Sequence, residues 1–211
     1  MGKSVLVYGK SGSGKTRSLK NFDVDEILLI NVIGKDMPFK KKFRYEYRTD
    51  DYSKIKNALL KMPTKTAVID DAGYLQTNMF MRGHSSPKKG SSSFDLFNDI
   101  ADGFWSLLRF IAENLPDDVL VYIIMHEQTS DYGETKLRTV GKLLDEKVCI
   151  EGQVTVSIRC LSDGNRHYFR TQTDGTDISK SPEEMLPLEM DNDLKAVDTA
   201  IREYYEFNKG E

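Results

Sequence analysis

An eight-residue glycine-rich stretch near the amino terminus constrains the fold of this chain more than any other feature. It reads GKSGSGKT, spans residues 9–16, and matches the pattern G-x-x-x-x-G-K-[ST] at every required position. An apolar run at residues 4–8 predicts a strand before it, and a short helix is predicted at residues 15–21. Glycines allow a tight turn whose backbone N–H groups point inward at a phosphate, and the helix dipole adds positive charge there. The stretch is therefore predicted to be a phosphate-binding loop (P-loop).

The side chains of this loop predict a nucleoside triphosphate with magnesium as the ligand. Lys15 is expected to reach the β- and γ-phosphates, and the Thr16 hydroxyl is expected to ligate Mg²⁺. The expected ligand is MgATP, and the alternative is a glycine-rich turn without a ligand. The predicted nucleotide-binding residues are those of the motif and the arginine after it: Gly9, Lys10, Ser11, Gly12, Ser13, Gly14, Lys15, Thr16 and Arg17.

Apolar runs alternate with amphipathic helices along the chain, which is typical of an α/β fold with a parallel sheet flanked by helices. Further strands are predicted at residues 27–31, 66–69 and 119–125. Amphipathic helices are predicted at residues 50–62 and 94–115, where apolar side chains recur at helical spacing. The segments without such a pattern are predicted to be irregular: residues 32–48, 82–93 and 126–147.

The carboxyl-terminal part of the chain predicts a β-hairpin and a last helix. Apolar and polar residues alternate over residues 154–160, and Tyr168 and Phe169 lie in a returning strand. This hairpin is expected to extend one edge of the sheet. Helical spacing of apolar residues predicts the last helix within residues 191–207.

Length and composition limit the class of protein. The 211 residues suit one P-loop ATPase domain over residues 1–190 and a C-terminal helix or tail over residues 191–211. A net charge of −3 gives no argument for nucleic acid or an anionic membrane as a partner. Cys149 and Cys160 fit no zinc spacing and are expected to be two small buried thiols in a reducing cytosol. No apolar run approaches the roughly 18 residues of a membrane span, and a strand starting at Ser4 leaves no room for a targeting segment, so we expect a cytoplasmic protein.

Two carboxylates follow the predicted strand at residues 66–69, in the form of a Walker B element. Asp70 is expected to hold Mg²⁺ through water. Asp71 then lies where many P-loop ATPases have a carboxylate that polarises the attacking water, so it is a candidate catalytic residue. The alternative is a pair of solvated carboxylates in a turn.

The strand predicted at residues 119–125 ends in His126 and Glu127. In the RecA and AAA branches of P-loop proteins, a strand like this lies between the P-loop and Walker B strands, and its last polar residue faces the γ-phosphate. His126 is therefore a candidate sensor of the phosphate state, the alternative being a structural histidine at the end of the strand. Glu127 competes with Asp71 as the general base.

Several stretches resemble phage-encoded, RecA-like AAA-family ATP-binding proteins of replication and recombination modules, some of which are described as single-strand annealing proteins. The stretches are GKSGSGKT, INVIGKDMPF, VIDD, MHEQ, GKLLDEKVCIEGQVTVSIRC and TQTDGTDISKSPEEM. The resemblance covers most of the chain, from Lys3 to about Pro187. The resemblance implies a RecA-like ATPase core, homo-oligomeric rings or filaments, and work on single-stranded DNA. It also implies a phage single-strand binding protein as a partner, in the cytoplasm of a bacterial host.

One position departs from the RecA pattern. RecA-type enzymes usually have their catalytic glutamate after the second strand, and this chain has Asn31 there. Either Asp71 or Glu127 then serves as the base, or hydrolysis is slow.

Basic residues in the two loops that follow predicted strands are candidates for contact with DNA phosphates: Arg82, Lys88, Lys89, Lys136 and Arg138. The alternative is that both loops are solvated and bind nothing. Lys142 and Lys180 are candidates for reaching the γ-phosphate of a neighbouring subunit, although a surface lysine is the simpler reading of each.

Three functions remain open at the level of sequence. The leading hypothesis is a DNA-dependent ATPase that promotes annealing or strand exchange. The second is a P-loop kinase for a nucleotide or small metabolite, and the third is a nucleotide-dependent switch or loader that does not hydrolyse ATP.

Overall fold

The strands of this protein form one mixed sheet. The computed structural model describes residues 1–84 and 93–207, and all elements named below lie in these two ranges. The nine strands are β1 (Lys3–Gly9), β2 (Ile27–Asn31), β3 (Tyr45–Arg48), β4 (Thr66–Asp70), β5 (Leu120–Thr129), β6 (Thr135–Leu137), β7 (Val156–Ser162), β8 (His167–Arg170) and β9 (Glu189–Asp191). The four α-helices are α1 (Tyr52–Lys61), α2 (Gly73–Gly83), α3 (Ser93–Asn114) and α4 (Leu194–Tyr204).

Parallel pairing dominates the sheet. The strand order is β3-β2-β4-β5-β1-β7-β8-β9, and β6 pairs with the carboxyl-terminal part of β5. The strands from β3 to β7 in this order are parallel, and β8 and β9 are antiparallel additions. The predicted position of β5 between β1 and β4 is confirmed, and so is the β7–β8 hairpin that extends the sheet. The α/β class with a mostly parallel, helix-flanked sheet is therefore confirmed.

Both faces of the sheet are buried, which explains the continuous apolar runs of its central strands. Along β1, Leu6 and Tyr8 pack on one face beneath α1, α2 and α3. Val5 and Val7 pack on the opposite face, which is covered by α4 and by a short 3₁₀ helix at Thr16–Asn21. Within the two described ranges, every helix is too short or too polar to cross a bilayer.

An aspartate caps the amino-terminal end of two helices, α1 and α4. The Asp51 carboxylate accepts hydrogen bonds from the backbone N–H groups of Ser53 (2.8 Å) and Lys54 (3.1 Å), and α1 starts at the next residue. Asp193 caps α4 in the same way. The predicted helix at residues 94–115 is confirmed as α3, shifted by one residue.

Two segments predicted to be irregular contain regular structure. Residues 32–48 include β3, a short edge strand that is half exposed, so its sequence YEYR has no apolar run to reveal it. Residues 126–147 include the end of β5, strand β6 and the start of a π-helical turn at Leu143–Val148. The polar residues of β5 and β6 form a two-stranded extension beyond the main sheet, where no apolar alternation is required.

Helix α2 has no counterpart in the prediction, and it changes the placement of one candidate residue. Arg82 lies in α2 rather than in a loop, and its guanidinium pairs with the Asp50 carboxylate at 2.6 Å. The remainder of the predicted loop, residues 85–92 with Lys88 and Lys89, lies outside the described residues.

A buried polar cluster attaches α4 to the sheet. Asp198 on α4 accepts hydrogen bonds from the hydroxyl groups of Thr66 on β4 (2.9 Å) and Tyr122 on β5 (3.1 Å). Its second oxygen accepts from Arg202 at 2.7 Å, one turn further along the helix. Removing this carboxylate would leave the buried Tyr122 hydroxyl group without its acceptor and the Arg202 guanidinium without this counter-charge, while Arg202 keeps its hydrogen bonds to Thr66 and to two backbone carbonyl oxygens.

We expect Asp198→Ala to lower the free energy of unfolding by about 3 kcal/mol, because breaking a buried ion pair leaves an uncompensated charge. Arg109→Ala is the matched control, since it removes an exposed ion pair with Glu113 within α3 and should cost less than about 1 kcal/mol. Urea denaturation of both variants measures the difference. Equal losses would show that the Asp198 cluster does not hold α4 in place.

Candidate functional site

The register of the parallel strands collects polar residues at one edge of the sheet. Gly9 at the end of β1 lies opposite His126 on β5, and Asn31 at the end of β2 lies opposite Asp70 on β4. A cleft of about 390 Å³ opens at this edge. Its lining comes from the glycine-rich turn, the loop after β2, the ends of β4 and β5, and β8: Ser11, Gly12, Gly14, Lys15, Thr16, Arg17, Lys35, Asp36, Met37, Pro38, Asp70, Asp71, His126 and His167. Carboxyl ends of parallel strands are the usual position for ligand sites in α/β sheets.

Two glycines of the turn are required by its geometry. Gly14 has φ of 104°, and a Cβ there would lie 2.9 Å from the His167 ring. A Cβ on Gly9 would lie 2.4 Å from the carbonyl oxygen of Cys160. The turn therefore packs directly against β7 and β8.

Residues outside the motif, on β7 and β8, stabilise the turn by contacting its backbone. The Ser13 carbonyl oxygen lies 2.7 Å from His167 Nδ1 and accepts a hydrogen bond from the Cys160 thiol at 3.1 Å. Burial raises the pKa of Cys160 to about 11, so the thiol stays protonated and can donate. Asn192 donates to the same sulfur at 3.2 Å and accepts from Arg17 at 3.2 Å. These contacts fix the backbone of the turn and the side chain of Arg17 together.

Lys15 is folded back into the turn. Its Nζ donates to the carbonyl oxygens of Gly9 (2.9 Å) and Lys10 (2.8 Å), and lies 3.4 Å from His126 Nδ1. Burial lowers the pKa of Lys15, and the nearby Asp71 and Asp70 charges act in the opposite direction. The ammonium group thus sits beside the cleft with partners that an anion could replace.

Thr16 and Asp70 face each other across the cleft floor. The Thr16 hydroxyl lies 3.1 Å and 3.0 Å from the two carboxylate oxygens of Asp70. Burial, followed by the charge of Asp71, raises the pKa of Asp70 to about 6, while the Thr16 hydroxyl and two lysines act against this. The two residues predicted to hold magnesium are therefore neighbours.

Asp71 carries two contacts and an unusual backbone conformation. Its φ is 59°, in the left-handed region that few non-glycine residues adopt. One oxygen lies 2.8 Å from Lys35 Nζ, and the other lies 3.3 Å from His126 Nε2. Burial raises the pKa of Asp71, but the close contacts with His126 and Lys35 outweigh it and bring the pKa below its usual value.

The loop after β2 supplies Lys35, which sequence reasoning did not single out as a site residue. Asn31 Nδ2 donates to the Lys35 carbonyl oxygen at 2.7 Å and to Glu46 on β3 at 3.2 Å. Asn31, at the end of β2, therefore fixes this loop against the sheet. The only signal in the sequence was the stretch INVIGKDMPF, which contains both residues.

Other candidate residues lie away from the cleft lining. Glu127 is buried and makes two hydrogen bonds with the Arg159 guanidinium, at 2.8 Å and 2.9 Å. Lys136 pairs with Asp145 at 2.7 Å, and Lys142 lines an apolar groove between α3 and the π-helical turn. The Lys180 backbone bridges to Ser157 on β7. Of the four predicted catalytic residues, the cleft brings together Lys15, Asp71 and His126, whereas Glu127 faces Arg159.

We expect Asp70 to make the metal-free protein less stable as the pH rises from about 4 to about 6. The folded protein keeps a proton on Asp70 up to a pKa of about 6, whereas the unfolded chain loses it near 3.8, so the free energy of unfolding falls across this window. The fall should approach about 3 kcal/mol at neutral pH. Asp70→Asn removes this contribution, so the variant should gain stability over the wild type as the pH rises.

Urea denaturation of both proteins between pH 4 and pH 8, in the presence of a chelator, measures this difference. Asp131→Asn, at an exposed position, controls for the removal of one negative charge. A constant difference between the Asp70→Asn variant and the wild type across the pH range would contradict the expectation.

No protein-family model matches the chain, and no curated protein matches it. The function is therefore inferred from the chemistry of the cleft and from the sequence motif that forms its turn.

Proposed function

We propose that the cleft binds a nucleoside triphosphate with Mg²⁺, and that MgATP is its ligand. We propose further that the protein is a P-loop ATPase with a RecA-like sheet. One observation carries the proposal: the glycine-rich turn, the Lys15 ammonium group and the Thr16–Asp70 pair meet at the carboxyl end of the central parallel strands. A triphosphate needs inward backbone N–H groups, a cation and oxygen ligands for magnesium in this arrangement.

The residues at the cleft floor fit magnesium. Mg²⁺ prefers oxygen ligands in octahedral geometry and usually keeps several waters, with one or two protein ligands and the phosphates completing the shell. Thr16 and Asp70 offer such oxygens 3.0–3.1 Å apart. Over the described residues, His, Cys, Asp and Glu nowhere form a group of three that could hold a metal ion. A bound dication would favour the ionised form of Asp70.

Lys15 is suited to exchange its present partners for phosphate oxygens. It donates to two backbone carbonyls, and charge-assisted bonds to a phosphate are roughly twice as strong as bonds to neutral acceptors. Arg17 and Lys35 add two further cations to the lining. The cleft therefore offers three cationic side chains to a polyanion.

The state of the two candidate bases favours slow hydrolysis. Asp71 is paired with Lys35 and His126, and Glu127 is paired with Arg159, so neither carboxylate is free to accept a proton from water. This observation supports a second candidate function, a nucleotide-dependent switch or loader in which binding matters more than turnover. Phosphoryl transfer to a small acceptor stays the third possibility.

The β5–β6 extension supports the proposal that the partner is single-stranded DNA. Tyr132 at its tip is 95% exposed, and aromatic side chains stack on unpaired bases. Arg138, after β6, donates its backbone N–H to the His126 carbonyl oxygen at 2.9 Å, so the extension is attached to the cleft. Following the family resemblance, we propose that the protein acts on single-stranded DNA in phage recombination or replication, in annealing or strand exchange. A homo-oligomer and a phage single-strand binding protein belong to the same proposal, in the bacterial cytoplasm.

We expect Lys15→Ala to weaken MgATP binding by roughly 100-fold, because the variant loses a charge-assisted contact to two phosphates. Calorimetric titration with MgATP measures the effect. Lys20→Ala is the matched control, since Lys20 is exposed, lies five residues further on, and is absent from the cleft lining. Wild-type affinity in the Lys15→Ala variant would reject the site.

We expect single-stranded DNA to stimulate ATP hydrolysis, and Tyr132→Ala to reduce the affinity for DNA about tenfold, since stacking on one base contributes about 1–3 kcal/mol. Tyr47→Ala is the control, because Tyr47 is 55% exposed on the edge strand β3. Phosphate release at increasing DNA concentrations measures both the stimulation and the apparent affinity for DNA. Tight ATP binding without turnover would favour the switch, and phosphate transfer to an added acceptor would favour the kinase.

A further inference from the structure

We propose that Lys35 reads the γ-phosphate from within the same chain: without nucleotide it pairs with Asp71, and a bound triphosphate draws it away and frees this carboxylate. The inference rests on the proposed triphosphate site and concerns its regulation. It makes the ion pair between Lys35 and Asp71 a contact that holds the site inactive until the nucleotide arrives.

The Lys35–Asp71 pair has one exposed and one buried member. Lys35 is 61% exposed in its side chain, whereas Asp71 is 5% exposed, and their charged atoms lie 2.8 Å apart. Lysine carries a compact charge on a flexible four-carbon stem, so the ammonium group can change partners without a change in the backbone. When the pair separates, Lys35 therefore moves and Asp71 stays.

The backbone that carries Lys35 is anchored beside the cleft. Asn31 at the end of β2 holds the Lys35 carbonyl oxygen at 2.7 Å, and Asn31 is itself buried at the sheet edge. Both Lys35 and Lys15 line the cleft. A ligand that reaches Lys15 thus enters the space into which Lys35 projects.

A line of contacts places the γ-phosphate end of the ligand near Asp71. Lys15 Nζ lies 3.4 Å from His126 Nδ1, and His126 Nε2 lies 3.3 Å from Asp71 Oδ1. A neutral His126 with its proton on Nε2 satisfies both contacts, since Nδ1 then accepts and Nε2 donates. Lys15 is the group that would reach the β- and γ-phosphates, so the terminal phosphate faces the end of this line, where Lys35 lies.

Lys35 would distinguish a triphosphate from a diphosphate, because only the triphosphate carries a γ-phosphate for it to bind. A γ-phosphate offers Lys35 more negative charge than the single carboxylate of Asp71, and a diphosphate does not extend to this position. Only a triphosphate can therefore compete for Lys35.

Release of Lys35 also changes the chemistry of Asp71. Lys35 Nζ lies 2.8 Å from Asp71 Oδ2, so its departure leaves this buried oxygen without its ammonium partner. Asp71 Oδ2 can then take a proton from water as the water oxygen bonds to the γ-phosphorus and the bond from that phosphorus to the β–γ bridging oxygen breaks, while Oδ1 keeps its contact with His126. The products are ADP and inorganic phosphate. Turnover would thus be coupled to the arrival of a triphosphate.

Affinities for MgATP and MgADP, measured by calorimetry, test the role of Lys35. We expect Lys35→Ala to weaken MgATP binding about tenfold and to leave MgADP binding within about twofold, since one charge-assisted contact is lost only with the triphosphate. Lys35→Arg should retain the preference for ATP. Lys40→Ala, which removes an exposed lysine from the same segment, should change neither affinity.

Asp71→Asn tests the competition itself. Without its carboxylate partner, Lys35 is free in the absence of nucleotide, so MgATP should bind more tightly by several-fold while turnover falls. When Lys35 is already replaced by alanine, Asp71→Asn should no longer tighten MgATP binding. A general effect of removing one negative charge would instead persist in the double variant Lys35→Ala/Asp71→Asn.

Equal losses of ATP and ADP affinity in Lys35→Ala, an unchanged ATP affinity, or a gain that persists in the double variant would each overturn the role of Lys35. Failure of the wild type to bind either nucleotide would instead overturn the proposed function, so the two failures are distinguishable.

Discussion

The parallel pairing of β5 with both β1 and β4 is the constraint on which the cleft depends. It sets Gly9 beside His126 and brings the end of β4, with Asp70, to the same edge of the sheet. Apolar side chains buried on both faces hold these strands in register, because a shift by one residue would move each of them to the opposite face. The polar ends of the strands thus meet as a consequence of packing in the interior.

The turn after β1 depends on residues far along the chain. Cys160 and His167, which contact the Ser13 carbonyl oxygen, lie 147 and 154 positions after it. The β7–β8 hairpin therefore does more than extend the sheet, since it forms the rear wall of the proposed phosphate site. Position 14 requires glycine partly because the His167 ring packs closely against it. A local motif and a distant hairpin together form one continuous surface.

Charge in the cleft is balanced between protein groups. Lys15 and Lys35 flank the carboxylates of Asp70 and Asp71, with His126 between Lys15 and Asp71. Buried charges are costly unless they are paired, so the cations use carbonyls and carboxylates as partners. Each partner of Lys15 and Lys35 is one that a phosphate could replace, and this gives the site its proposed sensitivity to the nucleotide.

Sequence alone determined the central parallel strands, the β7–β8 hairpin, three of the four helices, the glycine-rich turn and the two acidic residues that follow the predicted strand at residues 66–69, because backbone preferences and apolar periodicity act between near neighbours. It left Asp71 and Glu127 as equal candidates for the base. The tertiary structure separated them, since Asp71 lines the cleft and Glu127 is held by Arg159. It also brought in Lys35. An ion pair depends on which loops meet in space, and no spacing along the chain records that.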